Sequence, residues 1–328
     1  MNFTKLPKIE LHLHLDCSLS YEVVQKIDPT ISEEDYNASF IAPAKCTDLA
    51  DYISRAVKAV DLMQTEEQLQ LVTADLFEQL AADRVIYAEI RFAPLIHTEK
   101  GLSARQVVEA VNNSITAGIQ KTGIQAGLIL CTLRHFKAAQ SMETVQLVED
   151  FRGTNVLGFD IAADEAGFPI DEHISAFTYA KEKGLHMTAH AGEAKGAASV
   201  WETLKYFHPS RIGHGVRSIE DPQLVQLLKE QDIHLEVCPT SNVQTNVVDA
   251  MSDHPIDKLY RQGISISINT DGRTISNTSL SQEYQILQAH FAWEKAHFLK
   301  SNLEAIRHAF IGEAVKKKLR RQMLEAFQ

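Results

Sequence analysis

The stretch "IELHLHLD", residues 9–16, sets two histidines two positions apart in an otherwise apolar run. A β-strand sends residues i and i+2 to the same face, so His12 and His14 would point one way, as two ligands of one metal ion require. An ordinary half-buried strand would show the same alternation, so the rest of the chain has to decide between the two readings.

Seven further β-type runs follow, each ending in polar residues: 85–94, 124–134, 156–165, 185–193, 211–216, 233–242 and 264–272. Helical patterns lie between them, among them 103–123, which closes at a glycine, 171–184 and 221–232. Eight strands alternating with helices in 328 residues predict an α/β fold of the (β/α)8, or TIM-barrel, type. The rival, an open doubly wound sheet, would be expected to carry a glycine-rich phosphate loop, and neither GxGxxG nor GxxxxGK[ST] occurs. The first two strands are separated by about seventy residues with helical character, far more than a crossover needs, which predicts extra helices over the barrel mouth. No Pro/Gly/Ser-rich linker divides the chain, so residues 1–328 are expected to form a single domain.

Composition narrows the function classes. A formal charge of −11 argues against a nucleic-acid partner. No apolar run is long enough to span a bilayer, and the first residues do not read as a signal segment. Cys17, Cys46, Cys131 and Cys238 form no CxxC pair and are expected to be reduced thiols of a cytoplasmic protein. Nothing in the pattern specifies an oligomeric state.

In such barrels the chemistry sits at the carboxyl ends of the strands. That is where His12 and His14, His190 and Glu193 of "AHAGE", His214 of "GHG" and Asp271 of "NTDG" fall. Taken singly, His214 could be a turn residue and Asp271 a helix cap. Together, histidines and a carboxylate suit one Zn²⁺ that activates a water. Glu193, three residues beyond a proposed ligand, can shuttle protons, and His214 can orient the water. The remaining histidines, His97, His186 and His254 among them, show no partner pattern and are read as structural or surface residues.

The motifs "PKIELHLHLD", "HAGE", "RIGHGV", "EVCPTSN" and "SINTD", in this order, resemble the adenosine deaminase family over nearly the whole chain. The resemblance implies a zinc aminohydrolase acting on a small purine nucleoside, most simply adenosine or deoxyadenosine. Within it, His12, His14, His190 and Asp271 would hold the metal, Glu193 would protonate purine N1 and His214 would assist attack at C6. Asp16 would hold a ribose hydroxyl, Ala163 would offer its backbone N–H to the purine, and position 272 would face N7. Three positions depart from the usual pattern: Cys17 for glycine, Ala163 for glycine, and "TDGR" for "TDDP", which leaves Gly272 without a carboxylate. Arg273, Asn277 or a water are the expected substitutes. Adenine and aminodeoxyfutalosine are alternative substrates. A binuclear amidohydrolase would need a lysine on the fourth strand, which has none, and a decayed nucleoside-binding homologue would not need all six residues.

Overall fold

The computed structural model describes residues 2–328. Eight strands pair in parallel and in chain order: β1 (Lys8–His14), β2 (Val85–Phe92), β3 (Gln125–Leu133), β4 (Val156–Ala162), β5 (His186–Ala191), β6 (Arg211–His214), β7 (His234–Val237) and β8 (Ile266–Ile268). The ring closes just beyond β8. Asp271 N–H donates to His12 O (3.1 Å), and His14 N–H donates to Asp271 O (2.7 Å). Asn269 completes the seam with a side chain in place of a ladder, its Oδ1 accepting from Leu11 N (2.8 Å) and His12 N (3.1 Å).

The expected runs 233–242 and 264–272 are therefore too long. After Val237 the chain turns into a short helix, Pro239–Gln244, because proline has no N–H for a ladder and suits the first turn of a helix. The expected helix 103–123 is Ala104–Thr122, started by a Ser103/Gln106 capping box and ended by Gly123 at φ 77°.

The long first connection divides differently from the expectation. Residues 66–82 form one helix that takes the ordinary ring position, packed on the helix Ala104–Thr122 so closely that a Cβ on Gly118 would lie 2.5 Å from Phe77. Only the short helices Leu49–Ile53 and Ala56–Asp61 lean over the mouth. The first of them rests on a small apolar cluster of its own, made by Ala42, Cys46, Leu49, Tyr52 and Ile275. The main apolar core is continuous from Phe3 to Phe327.

Apolar layers usually fill such a barrel, but this one holds charge. Arg91 of β2 reaches Asp160 of β4 (2.7 Å) and Glu236 of β7 (2.7 Å), and Arg211 of β6 reaches Glu236 (2.7 Å) and Glu89 of β2 (2.6 Å), with all five side chains at 0% exposure. Apart from Arg211–Glu236 on the paired strands β6 and β7, these contacts join strands that are not neighbours and cross the interior. Removing one partner leaves buried charge uncompensated, at a cost of roughly 3–5 kcal/mol. Arg91→Met is expected to lower stability by about that much, measured by guanidinium denaturation of chelator-treated protein so that metal affinity does not enter.

Candidate active site

The ends of β1, β5, β6 and β8 bring the predicted residues together. His12 Nδ1 donates to Glu236 Oε2 (3.0 Å), and His190 Nδ1 donates to Asp160, 3.1 Å from its Oδ2. In its neutral form each ring therefore keeps a bare Nε2 turned toward the mouth, although burial is outweighed at His12 by Asp271 and Glu236, which raise its pKa. Asp271 Oδ2 accepts from Ser241 Oγ (2.7 Å), while its Oδ1 lies 3.4 Å from His12 Nε2 and 3.5 Å from His14 Nε2. His14 Nε2 is also 3.2 Å from His190 Nε2. His12 Nε2 is buried without a hydrogen-bond partner. Bare nitrogens and a carboxylate oxygen aimed at one point fit a divalent cation and would repel one another without it. Burial lowers the pKa of His190, and that of His14 to about 3, which keeps both rings neutral as ligands must be.

The group whose ligand atoms all fall within 4.8 Å of one another is His12, His190, His214 and Asp271; it includes His214, and His14 stands beside it through Asp271 and His190. The tautomer of His214 separates it from the others. Ile256 N–H donates to His254 Nδ1 (3.1 Å), and burial lowers the pKa of His254 to about 3, so its hydrogen is on Nε2. That hydrogen goes to Asn242 Oδ1 (3.2 Å), which turns the Asn242 amide nitrogen to His214 Nδ1 (3.0 Å). Burial and the neighbouring His12 hold His214 well below the usual imidazole range, so its one hydrogen sits on Nε2. His214 is thus a donor aimed into the site, 3.6 Å from Glu193 Oε2.

Glu193 owes its position to Glu165, just past β4. The Glu165 carboxylate accepts from the backbone N–H groups of Gly192 (2.8 Å), Glu193 (3.0 Å), Ala194 (2.6 Å) and Lys195 (2.9 Å), pinning the turn. Burial, with Asp271 and Glu165 close by, pushes the Glu193 pKa well above the carboxylate range. Its Oε1 has no hydrogen-bond partner. A buried, protonated carboxyl group can give a proton to a substrate atom.

A cavity of about 720 Å³ opens above these groups. Asp16, Cys17 and Ala163 line it, with Tyr52 and Val60 from the covering helices, and Val57 (59% exposed) and Phe168 (40%) give it an apolar rim. Asp16 is buried, and although burial opposes ionisation, His97 and His14 hold its pKa low. Ala163 sits at φ 78°, the left-handed conformation that explains why glycine is usual there. His214 (φ 60°) and Asp271 (φ 66°) share it, a common condition of residues held by a site.

Two expected substitutes for the missing carboxylate at 272 lie elsewhere. Arg273 points away, pairing with Glu10 (2.7 Å) and Asp83 (3.1 Å), and Asn277 is exposed. His97, read as structural or surface, is buried with Nε2 3.8 Å from Asp16 Oδ2. His254, also read so, ends the relay that orients His214. His186 stacks on Phe310 at 4.7 Å, outside the site, as expected.

Fold and site together fit a hydrolase that would use a cation held by histidines and an aspartate, with a buried acid beside it, at the mouth of a barrel. The family model described as adenosine deaminase matches residues 7–326. Adenosine deaminase of Enterococcus faecalis is 35% identical over 329 residues, 98% of this chain and 97% of that one. Adenosine deaminase 1 of Streptomyces coelicolor is 36% identical over 94% of this chain and 83% of its own. The solved adenine deaminase of Arthrobacter aurescens superposes with a TM-score of 0.90 at 27% identity over 98% of both chains. Arabidopsis ADAL complexed with IMP gives 0.88 at 25% identity, over 100% of this chain and 99% of its own. The chain belongs to the adenosine deaminase family and is a hydrolytic aminohydrolase.

Two measurements test how the site is held. Ala163→Gly is expected to stabilise the fold by roughly 1 kcal/mol, seen as a higher Tm, because it relieves a left-handed alanine. Glu283 braces the helix that carries Ser241 and Asn242, accepting from Thr240 N (3.3 Å) and Thr278 Oγ1 (3.0 Å), and burial raises its pKa to about 7. The folded state then holds a proton that the unfolded state has lost between the ordinary glutamate value and about 7. Wild type should lose stability relative to Glu283→Gln as pH rises through that window, by up to about 1.4 kcal/mol per pH unit, and parallel urea titrations at pH 5 and 7.5 measure it.

Proposed function

We propose that the protein deaminates adenosine or deoxyadenosine to inosine or deoxyinosine and ammonia, with one Zn²⁺ held by His12, His14, His190 and Asp271. The observation that carries this reading is the convergence of three Nε2 atoms and Asp271 Oδ1 beside the buried acid Glu193. When bound, zinc supplies the Lewis acidity that makes a water nucleophilic at neutral pH. The chain's own residues do the rest. Glu193 gives its proton to N1 of the purine, making C6 electrophilic, and as a carboxylate it can then take the proton that the attacking water releases and pass it to the departing amine. His214 directs the incoming nucleophile through its Nε2–H. Asp16 accepts from a ribose hydroxyl, and the Ala163 backbone faces the purine.

The cavity wall favours a neutral nucleoside over a nucleotide. Among the described residues no lysine or arginine lines it, while Asp16, Asp61, Glu99, Asp164, Glu193 and Asp271 do. A phosphate seeks cationic donors and would be repelled here. Free adenine would leave Asp16 without a partner. The four free thiols support a reducing compartment such as the cytoplasm, and no helix among the described residues is long and apolar enough to cross a membrane.

Metal analysis with an ammonia-release panel of adenosine, deoxyadenosine, adenine, AMP and aminodeoxyfutalosine tests the assignment. One zinc per chain and turnover of the first two are expected; activity confined to the others overturns the substrate. Glu193→Gln should retain the metal and lose roughly 10²–10⁴-fold in kcat, and near-normal turnover would remove Glu193 as the proton donor.

A further inference from the structure

Cys17 lines the cavity, and Gly272 packs against it. The segment after β1 and the segment after β8 are stitched together there: Thr274 N–H donates to Cys17 O (3.0 Å), and Arg273 N–H donates to Ser18 Oγ (3.1 Å). A Cβ placed on Gly272 would lie 2.6 Å from Cys17 Cβ and 3.0 Å from Cys17 O. Gly272 is not among the positive-φ residues, so its backbone would accept a side chain. The neighbour excludes one. Relaxation is hard because the carbonyl is hydrogen-bonded and the close side-chain atom is a Cβ, not a flexible tip.

With Arg273 turned to Glu10 and Asp83, and Asn277 exposed, Cys17 is the side chain that a group at position 272 would meet. Its Sγ lies 3.7 Å from Asp16 Oδ1. Glu193, 4% exposed and with Oε1 unpartnered, lines the same cavity. In the ring order β1 and β5 lie opposite one another, so Cys17 and Glu193 approach a bound molecule from opposite sides.

We propose that Cys17 is a specificity-determining residue that has taken over the place of a side chain at position 272, so that a neutral thiol faces the imidazole edge of the substrate. This rests on the reading of the cavity as a purine nucleoside site. With Glu193 at N1, the ring edge across C6 is the one that carries N7. A thiol is a weak donor, whereas a charged group makes a hydrogen bond about twice as strong. The enzyme therefore draws little of its selectivity from N7 and tolerates a carbon there.

The test is a double-mutant cycle on the metal-loaded protein with Cys17→Gly, Gly272→Asp and the pair. It is read by Tm, and by kcat/KM for adenosine against 7-deazaadenosine. Wild type and Cys17→Ser should discriminate less than about tenfold, as weak neutral hydrogen bonds do. Gly272→Asp alone should lower Tm, because its Cβ meets Cys17. The double variant should recover Tm and prefer adenosine by roughly 10–100-fold, the range of a charge-assisted hydrogen bond. An additive cycle in Tm, or Gly272→Asp folding and discriminating like wild type, overturns the exchange. Wild-type preference for adenosine above tenfold that survives Cys17→Gly overturns the role of the thiol. The Tm arm needs no substrate. If another purine in the ammonia panel is the one turned over, its 7-deaza analogue replaces 7-deazaadenosine, so failure of the adenosine reading is distinguishable.

Discussion

A guanidinium in the middle of the barrel holds the site together. Arg91 joins Asp160 and Glu236, and each of those carboxylates then accepts from the Nδ1–H of one imidazole, His190 or His12. The order of these contacts fixes what the rings can do. Both carboxylates stay ionised, below the ordinary range despite burial, Asp160 through His190 and Arg91 and Glu236 through Arg91 and Arg211. An ionised partner on Nδ1 puts the hydrogen there and leaves Nε2 free for a cation. The buried charges that distinguish this barrel interior therefore set the tautomers at its rim.

The neighbouring His214 is governed by the opposite device. Its Nδ1 faces a donor, the Asn242 amide, so the hydrogen is displaced to Nε2. Three of the four histidines thus divide by the sign of what stands behind Nδ1: the carboxylates behind His12 and His190 leave Nε2 bare, and the amide behind His214 makes its Nε2 a donor. Side-chain identity alone does not assign these parts, and the relay that does so begins at the Ile256 N–H and passes through a histidine that never touches the cavity.

This division marks what could be read from the sequence. Strand periodicity and the placing of His12, His14, His190, Glu193, His214 and Asp271 at strand ends were legible because each depends on local spacing. The supports were harder to see. Arg91, Asp160 and Glu236 are charged residues inside apolar strands, a visible anomaly, but their pairing crosses the barrel and links positions up to 145 residues apart. Asn242 stood in a quoted motif, and Glu165 at the end of the run 156–165, without a local reason to matter. The covering helices were predicted too broadly, since a helical pattern does not say whether it lies in the outer ring or over the mouth. Gly272 was noticed as a missing carboxylate, yet its contact with Cys17 joins two ends of the chain.

The seam of the barrel adds a last point. Asp271 closes the ring through its backbone N–H and C=O while holding φ at 66°. Glycine, asparagine and aspartate enter that conformation at least cost. Architecture thus favours these three residue types at the position, although Ala163 and His214 hold the same conformation elsewhere in the chain. Of the three, only aspartate brings an anion, so ring closure and a negative charge at the rim are served by the same residue.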